Sequence, residues 1–294
     1  MIAEELSADD AQLMVKRTPQ MRFEKRYQPV AVVDALPVTG FRRQGVYLIT
    51  GGLGDLGDLF ARYLMTRYDA RVILVGRRIL PTKDMWEHIS GQGAEAKGVA
   101  KLSALAASGS GAVEYYAADV CSKDEMGELL GFIKAHYGTL NGVICAAGVT
   151  RGDSFQGIHH LTPDHCQAQF DTKVAAFQVL SELLADRPID FCLLCSSIAA
   201  ILGGLSFSAY SSVSAFADSF AQEQHRLGRP WVSVNWDGWI FERRQADDVL
   251  GSSLEQLLIE PEEGLAILER VLQAPLQGQV IVSTGDLNQR FNQW

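Results

Sequence analysis

The chain has no apolar run of about 18 residues, the length a helix needs to cross a bilayer. Its start, Met1 to Arg26, is polar and charged rather than a basic stub ahead of a hydrophobic stretch, so neither a membrane span nor an export signal is expected. Cysteine is scarce as well. Five residues at irregular spacing exclude a disulfide framework and point to reduced thiols in a cytoplasmic protein. Positive charge is in deficit, with 26 basic against 35 acidic residues and a net charge of −9, which argues against nucleic acid or an anionic membrane as partner. No repeat of 20 to 50 residues is present, which excludes solenoids and propellers. What is there is ordinary globular composition, 47% hydrophobic and 21% charged over 294 residues, enough for a large core in one doubly wound unit plus a small extra piece.

Residues 1–45 read as a polar leader holding one strand-like stretch, Arg22 to Val30, able to pair at the edge of a sheet. From Val46 the texture changes. Short apolar runs recur at Val46–Ile49, Arg71–Val75, Val113–Ala118, Gly142–Cys145, Phe191–Leu194, Trp231–Val234 and Val280–Ser283, with helical spacing between them, as in Lys101–Ser110 and Glu255–Gln273. Continuous apolar strands alternating with helices predict an α/β fold: a Rossmann-like, doubly wound parallel sheet with helices on both faces, spanning 46–294.

The first of these strands runs into Thr50-Gly51-Gly52-Leu53-Gly54-Asp55-Leu56-Gly57, a G-x-G-x-x-G pattern between strand and helix. In that context the glycines let backbone approach a pyrophosphate, whose charge the helix amides and dipole hold. Asp55 is assigned to cap the helix start. An acid about 20 positions further on would bind the ribose hydroxyls of NAD, but the second strand ends in Arg77-Arg78. An arginine fork suits the 2′-phosphate of NADPH instead, and Arg77 carries that reading more than Arg78.

Cys145-Ala146-Ala147-Gly148 and Ser196-Ser197 end two further strands, on the side where such sheets bind ligands. Tyr210 follows Ser197 by thirteen residues and opens a helix with Phe216 and Phe220 in step. Taken with Thr50 to Gly57, Arg77, Asp119-Val120, Ala146 to Gly148, Lys173 and Val234-Asn235-Trp236-Asp237-Gly238-Trp239, this pattern resembles the ketoreductase domains of modular polyketide synthases. Those domains are a branch of the short-chain dehydrogenase/reductase family, and the likeness runs from about Tyr27 to the C-terminus. In the wider family a lysine lies four residues after the tyrosine, where this chain has Ser214. Ketoreductase domains take their lysine from an earlier helix, which Lys173 matches, and usually carry asparagine at the place of Ser214.

The resemblance implies hydride transfer from NADPH to a ketone, with Tyr210 as proton donor, Lys173 beside it, Ser197 on the substrate oxygen and Ser214 completing the set. It implies that Asp119 and Val120 flank adenine, and that Ala147 and Gly148 line the ribose and nicotinamide side. It implies one wall of that site near Trp236 and Trp239, and a mobile substrate lid over about 240–253. The substrate implied is a β-ketoacyl chain on a phosphopantetheine-bearing acyl carrier protein, met by Arg226, Arg243 and Arg244, within a larger synthase. Such domains begin with a cofactor-free structural half, of which the stretch around Arg22 to Val30 matches the last strand. An excised piece of a multidomain synthase is the expectation. Leu202 stands where one product type has tryptophan, and Asp153 stands near the aspartates of the other, which goes with a D-hydroxyl product. Two alternatives stay open: a non-catalytic pseudo-ketoreductase that serves as scaffold, and a reductase of an α-ketoacyl group on a peptide synthetase carrier. The Cys192/Cys195 pair lies in a strand, where residues three apart project to opposite faces, and reads as core thiols. His159, His160, Asp164, His165 and Cys166 fit no zinc spacing and read as a loop and helix start, so no metal is expected.

Overall fold

The strand β3, Val46–Thr50, is buried throughout. Val46 and Leu48 enter one apolar cluster, Tyr47 and Ile49 another, which is the alternation of a sheet covered on both faces. The computed structural model describes residues 15–30, 40–89, 91–150, 152–241, 257–274 and 278–291, in two compact units, 1–36 and 37–294.

In the first unit, β1 (Val15–Arg17) and β2 (Arg22–Glu24) pair antiparallel with Lys16 opposite Phe23. The Arg22–Val30 stretch is therefore strand only to Glu24, and its partner lies elsewhere in what the sequence presents as a polar leader with one strand-like stretch. The turn is closed by Thr18, whose hydroxyl accepts the Met21 amide at 3.0 Å.

In the second unit, β3 is joined by β4 (Arg71–Gly76), β5 (Ala112–Ala117), β6 (Gly142–Cys145), β7 (Phe191–Ser197), β8 (Trp231–Trp236) and β9 (Gln279–Ile281). The order β5-β4-β3-β6-β7-β8-β9, parallel at every pairing, reverses direction between β3 and β6. That reversal opens a crevice beyond the carboxyl ends of the strands.

The helices are α1 (Asp55–Tyr68), α2 (Ala94–Ala106), α3 (Lys123–Tyr137), α4 (Pro163–Phe170), α5 (Ala176–Leu183), α6 (Ala199–Leu202), α7 (Ser208–Arg226), α8 (Pro261–Gln273) and α9 (Leu287–Phe291). None among the described residues is long and apolar enough to cross a membrane. Cys192 packs in one cluster and Cys195 against the other, as their spacing in a strand requires. Thr162 and His165 form a reciprocal cap at the start of α4, which accounts for His165 as a helix-start residue.

Candidate active site

The glycine turn is shaped by contacts that leave no room for side chains. Gly51 has φ +70°, and a methyl group on it would stand 2.6 Å from the Ala147 Cα; one on Gly57 would stand 2.6 Å from the Gly51 carbonyl oxygen. Gly54 is exposed at the mouth of α1, and its amide closes the turn onto the Gly51 carbonyl at 2.9 Å. Thr50 is buried at the strand end between Val75 and Cys145, and Gly52 abuts the Leu74 side chain. Leu53 and Leu56 pack their side chains on the apolar layer below, so the groups they can offer a phosphate are backbone amides.

The cap assignment for Asp55 is corrected here. Gly54 occupies the cap position without a side-chain bond, and Asp55, one residue further on, directs its carboxylate to Lys101 Nζ at 2.9 Å. Lys101 also donates to the Leu53 carbonyl at 3.0 Å. It straps the glycine turn to α2, a role invisible in a residue 46 positions beyond Asp55.

Beyond β4, Arg78 donates to the Ala94 carbonyl at 3.0 Å and is committed to the fold. Arg77 is exposed and makes no hydrogen bond or ion pair among the described residues. After β5, Asp119 accepts the Cys121 amide at 3.0 Å and Val120 is buried in the core. Ala146 and Ala147 are half-buried and Gly148 is exposed.

Three elements then bring their side chains together. Ser197 is the last residue of β7 and Tyr210 the third of α7. Lys173 lies on a π-helical turn, Asp171–Ala175, between α4 and α5, the kind of local irregularity often found at functional sites. The Ser197 side chain lies close enough to the Tyr210 phenol to favour its ionised form, and its oxygen accepts the Ala199 amide at 3.1 Å. Lys173 Nζ is 5.4 Å from the centre of the Tyr210 ring and 3.5 Å from the Cys195 carbonyl oxygen. Gly148 makes room for it: a methyl there would stand 3.1 Å from Lys173 Cε.

Burial pushes the Tyr210 phenol up from its ordinary value, opposed by the Ser197 side chain. Burial pushes the Lys173 ammonium down, opposed by its electrostatic neighbours Cys195, Asp218 and Cys145. Asp218 sits in a buried network under the site. It accepts from Ser233 Oγ at 2.6 Å, Asn235 Nδ2 at 2.8 Å and Gln279 Nε2 at 3.1 Å. Asn235 in turn donates to the Ser197 carbonyl at 3.0 Å, fixing the end of β7.

Ser214 is fully buried. Its carbonyl accepts from Ser196 Oγ at 3.2 Å, and its hydroxyl has no partner among the described residues. Trp236 ends β8 inside the core, its ring centre 6.4 Å from that of Phe60, rather than beyond the strand. Of the segment expected as a lid, Ile240 and Phe241 are described, with Phe241 stacked on Trp239. Residues 242–253, with Arg243 and Arg244, lie outside the described residues. Arg226 is paired with Glu223 at 2.7 Å. Leu202 is half-buried and Asp153 exposed.

Side chains that the sequence reading passed over complete the surroundings. Phe155 and Phe207 stand against Tyr210, and Gln169 holds the loop that bears Phe155.

The family model described as KR domain matches residues 45–240. Polyketide synthase ThaG of Burkholderia thailandensis is 36% identical over 253 residues, 82% of this chain and 4% of that protein. Polyketide synthase PksM of Bacillus subtilis is 32% identical over 82% of the chain and 5% of its own length. The chain thus spans a small fraction of these relatives. A crystal structure of a ketoreductase domain from the bacillaene assembly line superposes with TM-score 0.75 at 29% identity, over 95% of this chain and 64% of that one. A multidomain structure with adenylation, ketoreductase and pseudo Asub parts, from a keto acid-selecting NRPS module, superposes at 0.83 and 21% identity, over 99% of this chain and 24% of that one, a likeness of fold. Tyr210, Ser197 and Lys173 meet beside a glycine turn on a Rossmann-like sheet, and the sequence matches agree with that fold: the chain belongs to the ketoreductase domain family of the polyketide synthases, within the short-chain dehydrogenase/reductase superfamily.

Proposed function

We propose that this chain uses NADPH to reduce the β-keto group of an acyl thioester, carried on the phosphopantetheine arm of an acyl carrier protein, to the β-hydroxy compound. The observation that carries this reading is the convergence of Tyr210, Ser197 and Lys173 next to Gly148, at the carboxyl edge of the sheet. Other domains of a synthase are its partners, and Asp153, in the loop after β6, goes with a D-hydroxyl product.

The residues present fit the cofactor. Gly51 and Gly57 sit where a Cβ would collide with backbone, the start of α1 offers free amides to a pyrophosphate, and exposed Arg77 supplies a fork for a 2′-phosphate. Asp119 and Val120 border the adenine, and Ala146 to Gly148 the ribose and nicotinamide. When bound, NADPH supplies the hydride.

The chain's own part is to hold the ketone and deliver a proton. Ser197 bonds the ketone oxygen and holds it against Tyr210. As the carbonyl carbon gains the hydride, the π pair moves onto oxygen and takes the phenolic proton of Tyr210. Lys173 then faces the phenolate left behind, and its positive charge favours that product.

Absorbance of NADPH, followed with trans-1-decalone or an acetoacetyl thioester, tests the reading, with NADH as comparison. Oxidation of NADPH coupled to formation of the alcohol is expected. Arg77→Ala should lower the preference for NADPH over NADH by about 10- to 100-fold, the worth of one or two charge-assisted bonds. Tight NADPH binding without alcohol from any ketone would instead mark a silent scaffold.

A further inference from the structure

Tyr210 does not face open water alone. The Phe155 ring centre lies 5.4 Å from that of Tyr210 and 5.5 Å from that of Phe207, and Phe207 lies 5.9 Å from Tyr210. The three rings form one edge-to-face and tilted cluster around the proton donor, at spacings favourable for aromatic pairs.

Apolar side chains near it along the chain are exposed. Phe207 is 38% exposed, Leu205 beside it 88%, and Ile158, beyond Phe155 in the same loop, 70%. Apolar surface of this kind beside a reacting group marks a place that something apolar covers.

The wall is also held in position from both sides. Gln169, itself buried, donates from Nε2 to Ser154 Oγ at 2.8 Å and to the Val149 carbonyl at 3.1 Å. That clamp ties the Phe155 loop to α4, four residues before Lys173. On the other side Gly203 and Gly204 have positive φ, and a methyl on Gly204 would stand 2.8 Å from the Phe207 ring, so Phe207 rests on bare backbone.

We infer that Phe155, Phe207 and Leu205 form an apolar slot for the part of the acyl chain immediately beyond the ketone. The preferred substrate is then a β-ketoacyl thioester whose distal side carries a bulky apolar group rather than a methyl or a charged end. The inference rests on the ketoreductase reading and narrows its substrate.

Three N-acetylcysteamine thioesters test it: 3-oxobutanoyl, 3-oxo-5-phenylpentanoyl, and a chain of the same length as the last that ends in a carboxylate. In the wild type, kcat/KM for the phenyl substrate should exceed that for the other two by about 30-fold, the effect of burying several apolar carbons. Phe155→Ala and Phe207→Ala should each reduce that ratio to about threefold, whatever they do to the 3-oxobutanoyl rate itself. Phe155→Leu and Phe207→Leu, which keep an apolar wall, should retain most of the preference.

Equal wild-type rates for all three substrates overturn the slot but leave the reductase reading intact, and need no variant to be folded. Alanine variants that lose every substrate equally also overturn it, because the rings would then only position Tyr210. If no ketone at all is reduced, the underlying reading falls, and the slot with it.

Discussion

Tyr210→Phe is expected to lower kcat for ketone reduction by about 10²- to 10⁴-fold, the usual worth of a positioned proton donor, with NADPH affinity unchanged. The substitution removes one oxygen from a ring packed against Phe155 and Phe207 and takes away the hydroxyl beside Ser197. Cofactor titration by fluorescence separates loss of chemistry from loss of binding. A variant that keeps a tenth or more of the wild-type rate would remove Tyr210 from its assigned role. Lys173 makes the same prediction in another form. Burial lowers its pKa while burial raises that of Tyr210, so the lysine loses its charge at a lower pH, and the phenol its proton at a higher pH, than either would in water. The rate should fall on the basic side, below the ordinary lysine value of about 10.4, and Lys173→Met should abolish that limb along with most of the activity.

The same shift is a statement about stability. The folded chain releases the Lys173 proton at lower pH than the unfolded chain, so between the two pKa values the unfolded state binds more protons and stability rises with pH. Below the folded value both states are protonated and the full penalty of burying the charge applies. Lys173→Met lacks that penalty, and at neutral pH it should be as stable as the wild type or more so, by about 1–2 kcal/mol, in the manner of active-site residues that trade stability for function.

How much of this was legible in the sequence depends on how local the cause is. The seven strands of the parallel sheet were readable, the inner ones because a strand covered on both faces must be apolar at nearly every position, as β3 is. The glycine turn was readable because its collisions with Ala147 and with its own carbonyls dictate the residue type. Lys173 was placed through resemblance alone, since nothing in Asp171-Thr172-Lys173-Val174-Ala175 announces a π turn. Asp55 was misread because its partner, Lys101, is on another helix, and a carboxylate at a helix start has a local use that competes in any reading. The β1 partner of β2 was missed because two short, charged strands carry little periodicity. Phe155 and Phe207 went unremarked, and their meaning appears only when the loop after β6 meets the start of α7.

Arg290 shows the same limit, 53 residues from the group it serves, and carries the largest expected effect on stability. Its guanidinium grips the Asp237 carboxylate with both terminal nitrogens, with Nη2 at 3.2 Å from Oδ1, and both residues are buried. Thr284 adds its amide to Asp237 Oδ2 at 3.2 Å, and Arg290 Nη1 also donates to Ser283 Oγ at 3.0 Å. Helix α9 is thereby fastened to the residue just beyond β8, between Trp236 and Gly238. Arg290→Met leaves a carboxylate buried without its cation and should cost about 3–5 kcal/mol in denaturant unfolding. Asp237→Leu strands the guanidinium and should cost about as much. The double variant should cost less than either single one, because no charge is then left unpaired, although the Thr284 amide still loses its acceptor at about 1–3 kcal/mol. Costs that simply add would mean that the two side chains act through separate contacts rather than as a pair. Because Asp237 directly precedes Gly238 and Trp239 at the edge of the crevice, the single variants should also weaken NADPH binding at temperatures where the fold persists. The double variant should recover part of that affinity as it recovers stability, a joint recovery that a purely distant packing effect would not produce.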